Sequence, residues 1–193
     1  MAPRVRPANA EDKLWIDRFL RLRWSATRIV VHGEIIEAAD LPALVAEDPR
    51  GLATYRRLGS EAELVTLDAE RFGVGTGTAL IEALVALLRA ENCQRLWLTT
   101  TNDKLSALGF YLRRDFRIIQ VRLGAVEAAR NLKPSIPMIG EYGIPIEDEL
   151  DLCRVIDTPR ARSAPALPMG SSDRFIGIAV VGIDARSSVS TSS

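Results

Sequence analysis

The hydrophobic and polar positions of this chain change their period near residue 73. Between residues 41 and 68, three short apolar runs typical of strands are separated by polar turns, and they predict an antiparallel meander. Residues 78–90 then follow the pattern of a helix of high propensity, and residues 95–100 are again typical of a buried strand. A strand, a helix and a strand in this order predict a parallel pair joined by a right-handed crossover. The meander strands are predicted at residues 41–47, 52–57 and 63–68.

The flanking segments complete the prediction of an α/β (α+β) fold. Its sheet is mixed and mostly antiparallel, with a central parallel strand pair and flanking helices. Residues 27–36 contain a β-branched patch whose pattern does not define an element. The helix after the crossover is expected to be capped by Asn102 or Asp103. The flanking elements are predicted at residues 4–7 (strand), 10–24 (helix), 102–114 (helix), 116–121 (strand) and 144–155 (strand).

The composition of the chain changes after residue 157. Residues 158–173 are rich in Pro, Ser, Arg and Ala. We therefore predict one domain over residues 1–157 and a flexible C-terminal tail over residues 158–193. Residues 175–183 of the tail read FIGIAVVGI, an uncharged run of strong β-propensity that is expected to pair with a sheet edge or to promote aggregation.

The charge balance gives no electrostatic case for binding nucleic acid or an anionic membrane, because 25 basic side chains match 25 acidic ones. The Arg-rich stretches 18–28 and 113–117 are predicted to be solvated faces. Cys93 and Cys153 are expected to be ordinary thiols, with no disulfide framework and no metal site. The N-terminus lacks the apolar core of a signal peptide, and no apolar run approaches the ~20 residues of a membrane span, so we expect a cytoplasmic protein.

The junction between the last meander strand and the helix carries the strongest chemical signal. Gly73, Gly75 and Gly77 allow the backbone to bend freely there and to approach a ligand closely. The first N–H groups of the helix have no partners within the helix, and its dipole is positive at this end. Such a corner is suited to binding a phosphate group, which predicts a phosphate-bearing cofactor.

Two other nucleotide-binding motifs do not fit this turn. A Rossmann site requires Gly-x-Gly-x-x-Gly after the first strand and an acidic residue about 20 residues later, and residues 73–77 do not have that spacing. A P-loop requires Gly-Lys-Ser/Thr, which the chain does not contain.

Three stretches of the chain together resemble the GNAT superfamily of acetyl-CoA-dependent N-acetyltransferases: ELVTL, GVGTGTALIEAL and TNDKLSALGFYLRRDF. The last stretch matches the family's order of Asn, Ala, Phe-Tyr and Phe after the parallel crossover. The resemblance covers residues 41–121. It implies transfer of an acetyl group from acetyl-CoA, as co-substrate, to a primary amine of a small molecule or peptide. A homodimer is compatible with this interpretation.

The resemblance also implies roles for individual residues. Backbone groups of β-strand residues would pair with the pantetheine arm, amides of the glycine turn would hold the pyrophosphate, and a side chain after the crossover would reach the cofactor. Tyr111 would stand near the sulfur as the general acid. The implied cofactor contacts are Val65, Thr66 and Leu67 on the strand, Gly73, Val74, Gly75, Thr76, Gly77 and Thr78 at the turn, and Asn102 after the crossover.

The residues themselves are compatible with this chemistry. A thiolate leaving group has a pKa near 8.5, so a tyrosine with an ordinary pKa of about 10 can protonate it without a large shift. Backbone donors at a strand splay can polarise the thioester carbonyl. Glu63 and Asp68 flank the expected carbonyl position, and Glu63 is the preferred candidate for taking the amine proton, through water.

Two positions depart from the family pattern. Phe72 occupies the place where the family usually has Arg or Gln, with Arg71 beside it, and Asp115 occupies the place of a usual Gly. The first departure keeps an alternative function open, namely a GNAT-like domain that binds acyl-CoA as a sensor or as a partner-binding module. The nature of the acceptor is not fixed by the sequence.

Overall fold

The computed structural model describes residues 3–48 and 50–156 of the chain. Within these residues, the strands form a seven-stranded sheet of order β1-β4-β5-β6-β7-β9-β8 and a separate β2-β3 hairpin. The helices are α1 (Lys13–Trp24), α2 (Thr76–Ala90), α3 (Leu105–Leu112) and α4 (Ala125–Leu132). The strands are β1 (Val5–Pro7), β2 (Arg28–Val31), β3 (Glu34–Glu37), β4 (Ala43–Glu47), β5 (Arg50–Leu58), β6 (Glu61–Ala69), β7 (Arg95–Thr101), β8 (Arg117–Arg122) and β9 (Glu149–Val155).

The predicted fold class is confirmed. Strands β4, β5 and β6 form the expected antiparallel meander, and β6 pairs with β7 in parallel across the α2 crossover. The predicted last strand is β9, which inserts between β7 and β8 and is antiparallel to both. The sheet is therefore mostly antiparallel, with a single parallel pair at its centre among the described strands.

Strands β4 to β6 are apolar on both faces because each face is covered. On one face α2 packs its apolar stripe against the sheet, with Leu80 and Leu84 in one cluster with Leu64. On the other face α1 and the hairpin form a second cluster, which includes Phe19 and Val65. This two-sided burial explains why the central strands read as continuous apolar runs instead of alternating ones.

The segment that the pattern left undefined forms the β2-β3 hairpin. His32 and Gly33 make its two-residue turn, with φ angles of 43° and 76°. Positive φ at both positions is the geometry of a type I′ turn, which matches the twist of the flanking strands. The His32 side chain is almost fully buried, and its Nε2 lies 3.5 Å from the Asp151 carboxylate on β9. The turn of the hairpin is therefore held against strand β9 of the large sheet.

The prediction that Asn102 or Asp103 caps the helix after β7 is wrong. The helix begins at Leu105, and its cap position is Lys104. The Asn102 amide is engaged elsewhere: it donates to the Pro145 carbonyl at 2.8 Å and accepts from two backbone N–H groups just before β9. Asn102 thus fastens the loop that brings the last strand back into the sheet.

The β6–β7 ladder is short compared with its two strands. It spans only three residue pairs, from Glu61↔Arg95 to Glu63↔Trp97. Beyond it β6 continues its pairing with β5 as far as Ala69, and β7 continues with β9 as far as Thr101. The two strands therefore diverge and leave a gap in the middle of the sheet.

The predicted domain limit at residue 157 falls at the edge of the described residues. The tail, including residues 175–183, lies outside them. In the part of the chain that the structure describes, no helix has both the length and the apolar character needed to cross a membrane.

Gly51 on β5 sets the distance between the sheet and the start of α2. A Cβ atom at this position would lie 2.6 Å from Thr76 Cγ2 and 3.0 Å from the Asp68 carbonyl oxygen. We predict that Gly51→Ala lowers the free energy of unfolding by about 1–3 kcal/mol, the usual effect of overpacking. The measurement is urea denaturation.

Gly109→Ala is the matched control for this experiment. Its Cβ atom would meet only the flexible end of Arg113, and alanine is the better residue inside α3. This variant is expected to be as stable as the parent or more stable. Equal stability of Gly51→Ala and the parent would contradict the close approach of α2 to the sheet.

Candidate active site

A cavity of about 530 Å³ opens at the end of β6, past the last residue that pairs with β7. The end of β6, the glycine turn, the start of α2 and the inner face of α3 form its walls. We call it the cofactor cavity. Its lining residues, in chain order, are Leu67, Asp68, Ala69, Arg71, Phe72, Gly73, Gly75, Thr76, Gly77, Thr78, Ser106, Ala107, Phe110, Tyr111, Arg113 and Arg114.

The glycine turn forms one wall of this cavity and exposes backbone amides to it. Gly73 and Gly75 have φ angles of 76° and 92°, which residues other than glycine rarely adopt. Gly75 is the N-cap of α2. Gly77 faces the Phe110 ring, and a Cβ atom there would lie 3.0 Å from the ring. The buried hydroxyl of Thr76 has no partner among the described residues. The first turn of α2 thus presents N–H groups to the cavity, as a phosphate site requires.

Three guanidinium groups lie on the rim of the same cavity: Arg71, Arg113 and Arg114. Within the described residues, no carboxylate lies within 4.0 Å of any of them. Arg114 stacks on the Phe110 ring at 3.5 Å and donates to the Thr78 hydroxyl, which fixes it at the start of α2. The prediction of a solvated face for residues 113–117 is therefore wrong for Arg114. A pair of arginines after the Phe-Tyr motif was the signal that could have indicated it.

Tyr111 lies at the inner end of the cofactor cavity. Its side chain is fully buried, edge-on to the Phe110 and Phe116 rings. Its hydroxyl has no hydrogen-bond partner among the described residues. Burial, with a smaller effect of the Asp68 charge, raises the pKa of this phenol well above its usual value. The hydroxyl therefore keeps its proton at neutral pH.

Asp68 reaches the same region from β6. Trp24 donates its indole N–H to Asp68 Oδ2 at 2.6 Å, while Oδ1 has no partner in the described part of the chain. Burial raises the pKa of the Asp68 carboxyl to about 7, against the opposing effects of the Trp24 hydrogen bond and the Arg23 charge. A carboxylate with this pKa can exchange a proton near neutral pH.

Glu63 occupies a different environment from Asp68. It is buried on β6 beside the last β6–β7 pair, and it accepts a hydrogen bond from Arg56 on β5. Burial raises the pKa of its carboxyl to about 7, although Arg56 lowers it. Glu63 is not one of the residues that line the cofactor cavity.

The structure brings most, but not all, of the predicted residues to the cavity. Tyr111 and six of the predicted cofactor contacts line it: Leu67, Gly73, Gly75, Thr76, Gly77 and Thr78. Glu63, Val65, Thr66, Val74 and Asn102 do not line it. Val65 and Thr66 are buried in β6, beyond the last residue that pairs with β7. On the other side, Thr66 pairs with Thr54 of β5, whereas a register shift in the β5–β6 ladder leaves Val65 without a partner residue there.

A second cavity, of about 270 Å³, lies between the end of α1, strand β2 and helix α4. Trp24 lines this cavity and bonds to Asp68, which lines the first one. This hydrogen bond therefore links a wall residue of one cavity to a wall residue of the other. We call the second one the side cavity.

Comparison with known proteins gives a family match. A family model described as the acetyltransferase (GNAT) family matches residues 14–116. Two uncharacterized proteins of Bacillus subtilis (strain 168), YdhI and YxbD, are each 34% identical to this chain. The alignments cover 78% and 77% of this chain and 97% and 96% of the relatives.

Solved structures with the same fold include three acetyltransferases. A GNAT family acetyltransferase from Elizabethkingia anophelis with acetyl-CoA bound superposes with a TM-score of 0.54 at 18% identity, over 79% of this chain and 97% of that one. A Bacillus subtilis acetyltransferase in complex with CoA gives 0.56 at 15%, over 79% and 98%. The ribosomal-protein-S18-alanine N-acetyltransferase of Escherichia coli also gives 0.56 at 15%, over 80% and 94%.

Proposed function

The chain belongs to the acetyltransferase (GNAT) family, and from that premise we propose that it moves an acetyl group from acetyl-CoA to a primary amine of a small molecule or peptide. The observation that carries the proposal is the cofactor cavity, which combines open amides at the start of α2 with the buried Tyr111 hydroxyl. Cytoplasmic location and a homodimer stay predictions.

The phosphate groups of the cofactor are assigned to the outer part of the cavity. The first amides of α2, aided by the helix dipole, bind the pyrophosphate. Arg71, Arg113 and Arg114 supply positive charge that is not neutralised by a nearby carboxylate of the described residues. Guanidinium groups suit this task because their donors match the oxygens of a phosphate. Arg71 thus compensates for the exposed Phe72, which occupies the family's usual Arg or Gln position.

The pantetheine arm is assigned to the gap between β6 and β7. Backbone groups of Val65, Thr66 and Leu67 on the open side of β6 pair with the arm in place of a neighbouring strand. A buried backbone group without a partner is costly, so a ligand that satisfies it is favoured there. The same groups orient the thioester carbonyl and stabilise the negative charge that develops on its oxygen.

Acetyl transfer then needs two proton movements. The amine nitrogen forms a bond to the carbonyl carbon, and the carbon–sulfur bond breaks. Tyr111 donates its proton to the departing sulfur, which leaves as the thiol of CoA. The amine loses one proton to a base, so that one proton is released and one is consumed for each acetyl group transferred.

Two carboxylates on β6 are candidates for the base. Glu63, the residue favoured by the sequence, has one oxygen held by Arg56 and one without a partner among the described residues. Asp68 lines the cofactor cavity, accepts a hydrogen bond from Trp24 of the side cavity, and has a pKa of about 7. The position of Asp68 favours it, because a base must come within hydrogen-bond reach of the proton it removes.

Tyr111→Phe tests the role of the phenol. The change keeps the ring packing but removes the proton, and general acid catalysis is typically worth about a hundredfold to ten-thousandfold. With any amine that is acetylated, we expect kcat to fall while acetyl-CoA affinity stays the same, because the lost interaction forms in the transition state. A kcat within about twofold of the parent would leave Tyr111 as a packing residue. Absence of any acetyl transfer by the parent protein would favour the sensor alternative.

Asp68→Asn and Glu63→Gln distinguish the two candidate bases. A base works only when it is deprotonated. A base with a pKa of about 7 therefore makes kcat/KM low at acidic pH, and kcat/KM rises as the pH passes about 7. We predict that Asp68→Asn loses this acidic limb and at least about a hundredfold in kcat/KM, whereas Glu63→Gln keeps the limb. The reverse pattern in the pH profiles would assign the base to Glu63.

A further inference from the structure

The side cavity has the dimensions and walls of a binding site for a small molecule with an apolar part. Its volume is about 270 Å³, and most of its lining side chains are apolar, including Ile29, Val30 and Val126. Small-ligand sites typically combine such walls with a few placed polar groups. The polar groups therefore decide what the cavity can take.

Lys133 at the end of α4 is the distinctive polar group of this cavity. Its ammonium group donates to the Arg28 carbonyl oxygen at 3.5 Å, and no carboxylate within the described residues lies within 4.0 Å of it. Lys133 is partly buried, and this burial lowers the pKa of its ammonium group. Lys104, on the same cavity, is by contrast paired with Glu141 at 3.1 Å and with Asp103 at 3.5 Å.

An unpaired cation in an apolar cavity selects for an anion. A partly desolvated ammonium group gains most from a carboxylate that enters with the ligand. Among the described residues that line the cavity, Glu149 is the only acidic one. It is almost fully buried, so it disfavours a ligand with a second carboxylate.

The wall of the side cavity at the end of α1 is hydrogen-bonded to the end of β6, where Asp68 lies. Trp24 and Arg23 form its wall at the end of α1, and Arg23 donates to the carbonyl oxygen of Ala69, next to Asp68. Trp24 bonds to Asp68 itself. Trp24 thus contacts both the side cavity and Asp68, which places the side cavity one side chain away from this carboxylate.

We infer that the side cavity is the acceptor site and that its ligand is a primary amine bearing one carboxylate and an apolar side chain, such as an apolar α-amino acid. This inference rests on the proposed function. Lys133 binds the carboxylate, the apolar walls bind the side chain, and the amine faces Asp68. A charge-assisted hydrogen bond contributes about 1.5–3 kcal/mol, which corresponds to roughly a tenfold to hundredfold preference over the same amine without a carboxylate.

The test compares L-leucine with L-leucinamide and isopentylamine, which share the amine and the side chain but lack the carboxylate. In acetyl transfer, we expect kcat/KM for L-leucine to exceed that for either analogue by about tenfold or more. In Lys133→Met this ratio should fall toward one, and Lys133→Arg should restore part of it. Lys13→Met, an exposed lysine outside both cavities, is the matched control and should keep the parent ratio.

Calorimetry separates this inference from the proposed function. L-Leucine is titrated into the full-length protein saturated with CoA, and acetyl-CoA is titrated into the free protein. Binding of L-leucine that weakens about tenfold or more in Lys133→Met supports the inference whether or not transfer occurs. Acetyl transfer to amines with no preference for L-leucine, or a preference that survives in Lys133→Met, overturns the inference and leaves the proposed function intact. Failure of acetyl-CoA to bind overturns the proposed function instead.

Discussion

The short parallel ladder between β6 and β7 is the constraint on which the rest of the site depends. The strands pair over three residues and then separate, because β6 follows β5 while β7 follows β9. A gap in the middle of a sheet would expose unpaired backbone groups in a buried place, which is unfavourable without a partner. The cofactor cavity lies past the end of this ladder, and the end of β6, the start of α2 and helix α3 form its walls.

Two titratable groups near this gap have raised pKa values. Asp68 and Tyr111 lie in a buried region, and burial raises the pKa of both. A buried carboxylate is normally paired with a cation, as Glu63 is with Arg56. Within the described residues, the Asp68 carboxylate instead accepts a hydrogen bond from the Trp24 indole. Structural roles rarely need such an arrangement, whereas proton transfer near neutral pH does.

The sequence was sufficient for the parts of the fold that follow from periodicity. The change from strand to helix pattern at the glycine turn predicted the β6–α2–β7 crossover, and the family resemblance placed Tyr111 on the helix after it. The β2-β3 hairpin was not predicted because its turn is His32-Gly33, where a histidine adopts positive φ. That conformation is stabilised by the burial of His32 against β9, a contact between distant parts of the chain.

The remaining differences between the predicted and the observed structure also arise from contacts between distant parts of the chain. Asn102 has the residue type of a helix cap, but the loop before β9 offers it three backbone partners. Asp115 departs from the family's usual Gly, yet it adopts a φ of 64° and so keeps the turn, as Asp does more readily than most residues. The side cavity involves α1, β2, β7 and α4 together, and no local pattern could have indicated it.

The most direct test of the central claim is calorimetric titration of acetyl-CoA into the parent protein and into Gly77→Val. The valine side chain would fill the space between α2 and the Phe110 ring and block the backbone approach at the start of the helix. Ala90→Val introduces the same residue at the exposed far end of the same helix and is the control. The account predicts that Gly77→Val weakens binding at least about tenfold, a loss of about 1.4 kcal/mol, while Ala90→Val binds like the parent. Equal affinity in Gly77→Val and the parent would contradict it.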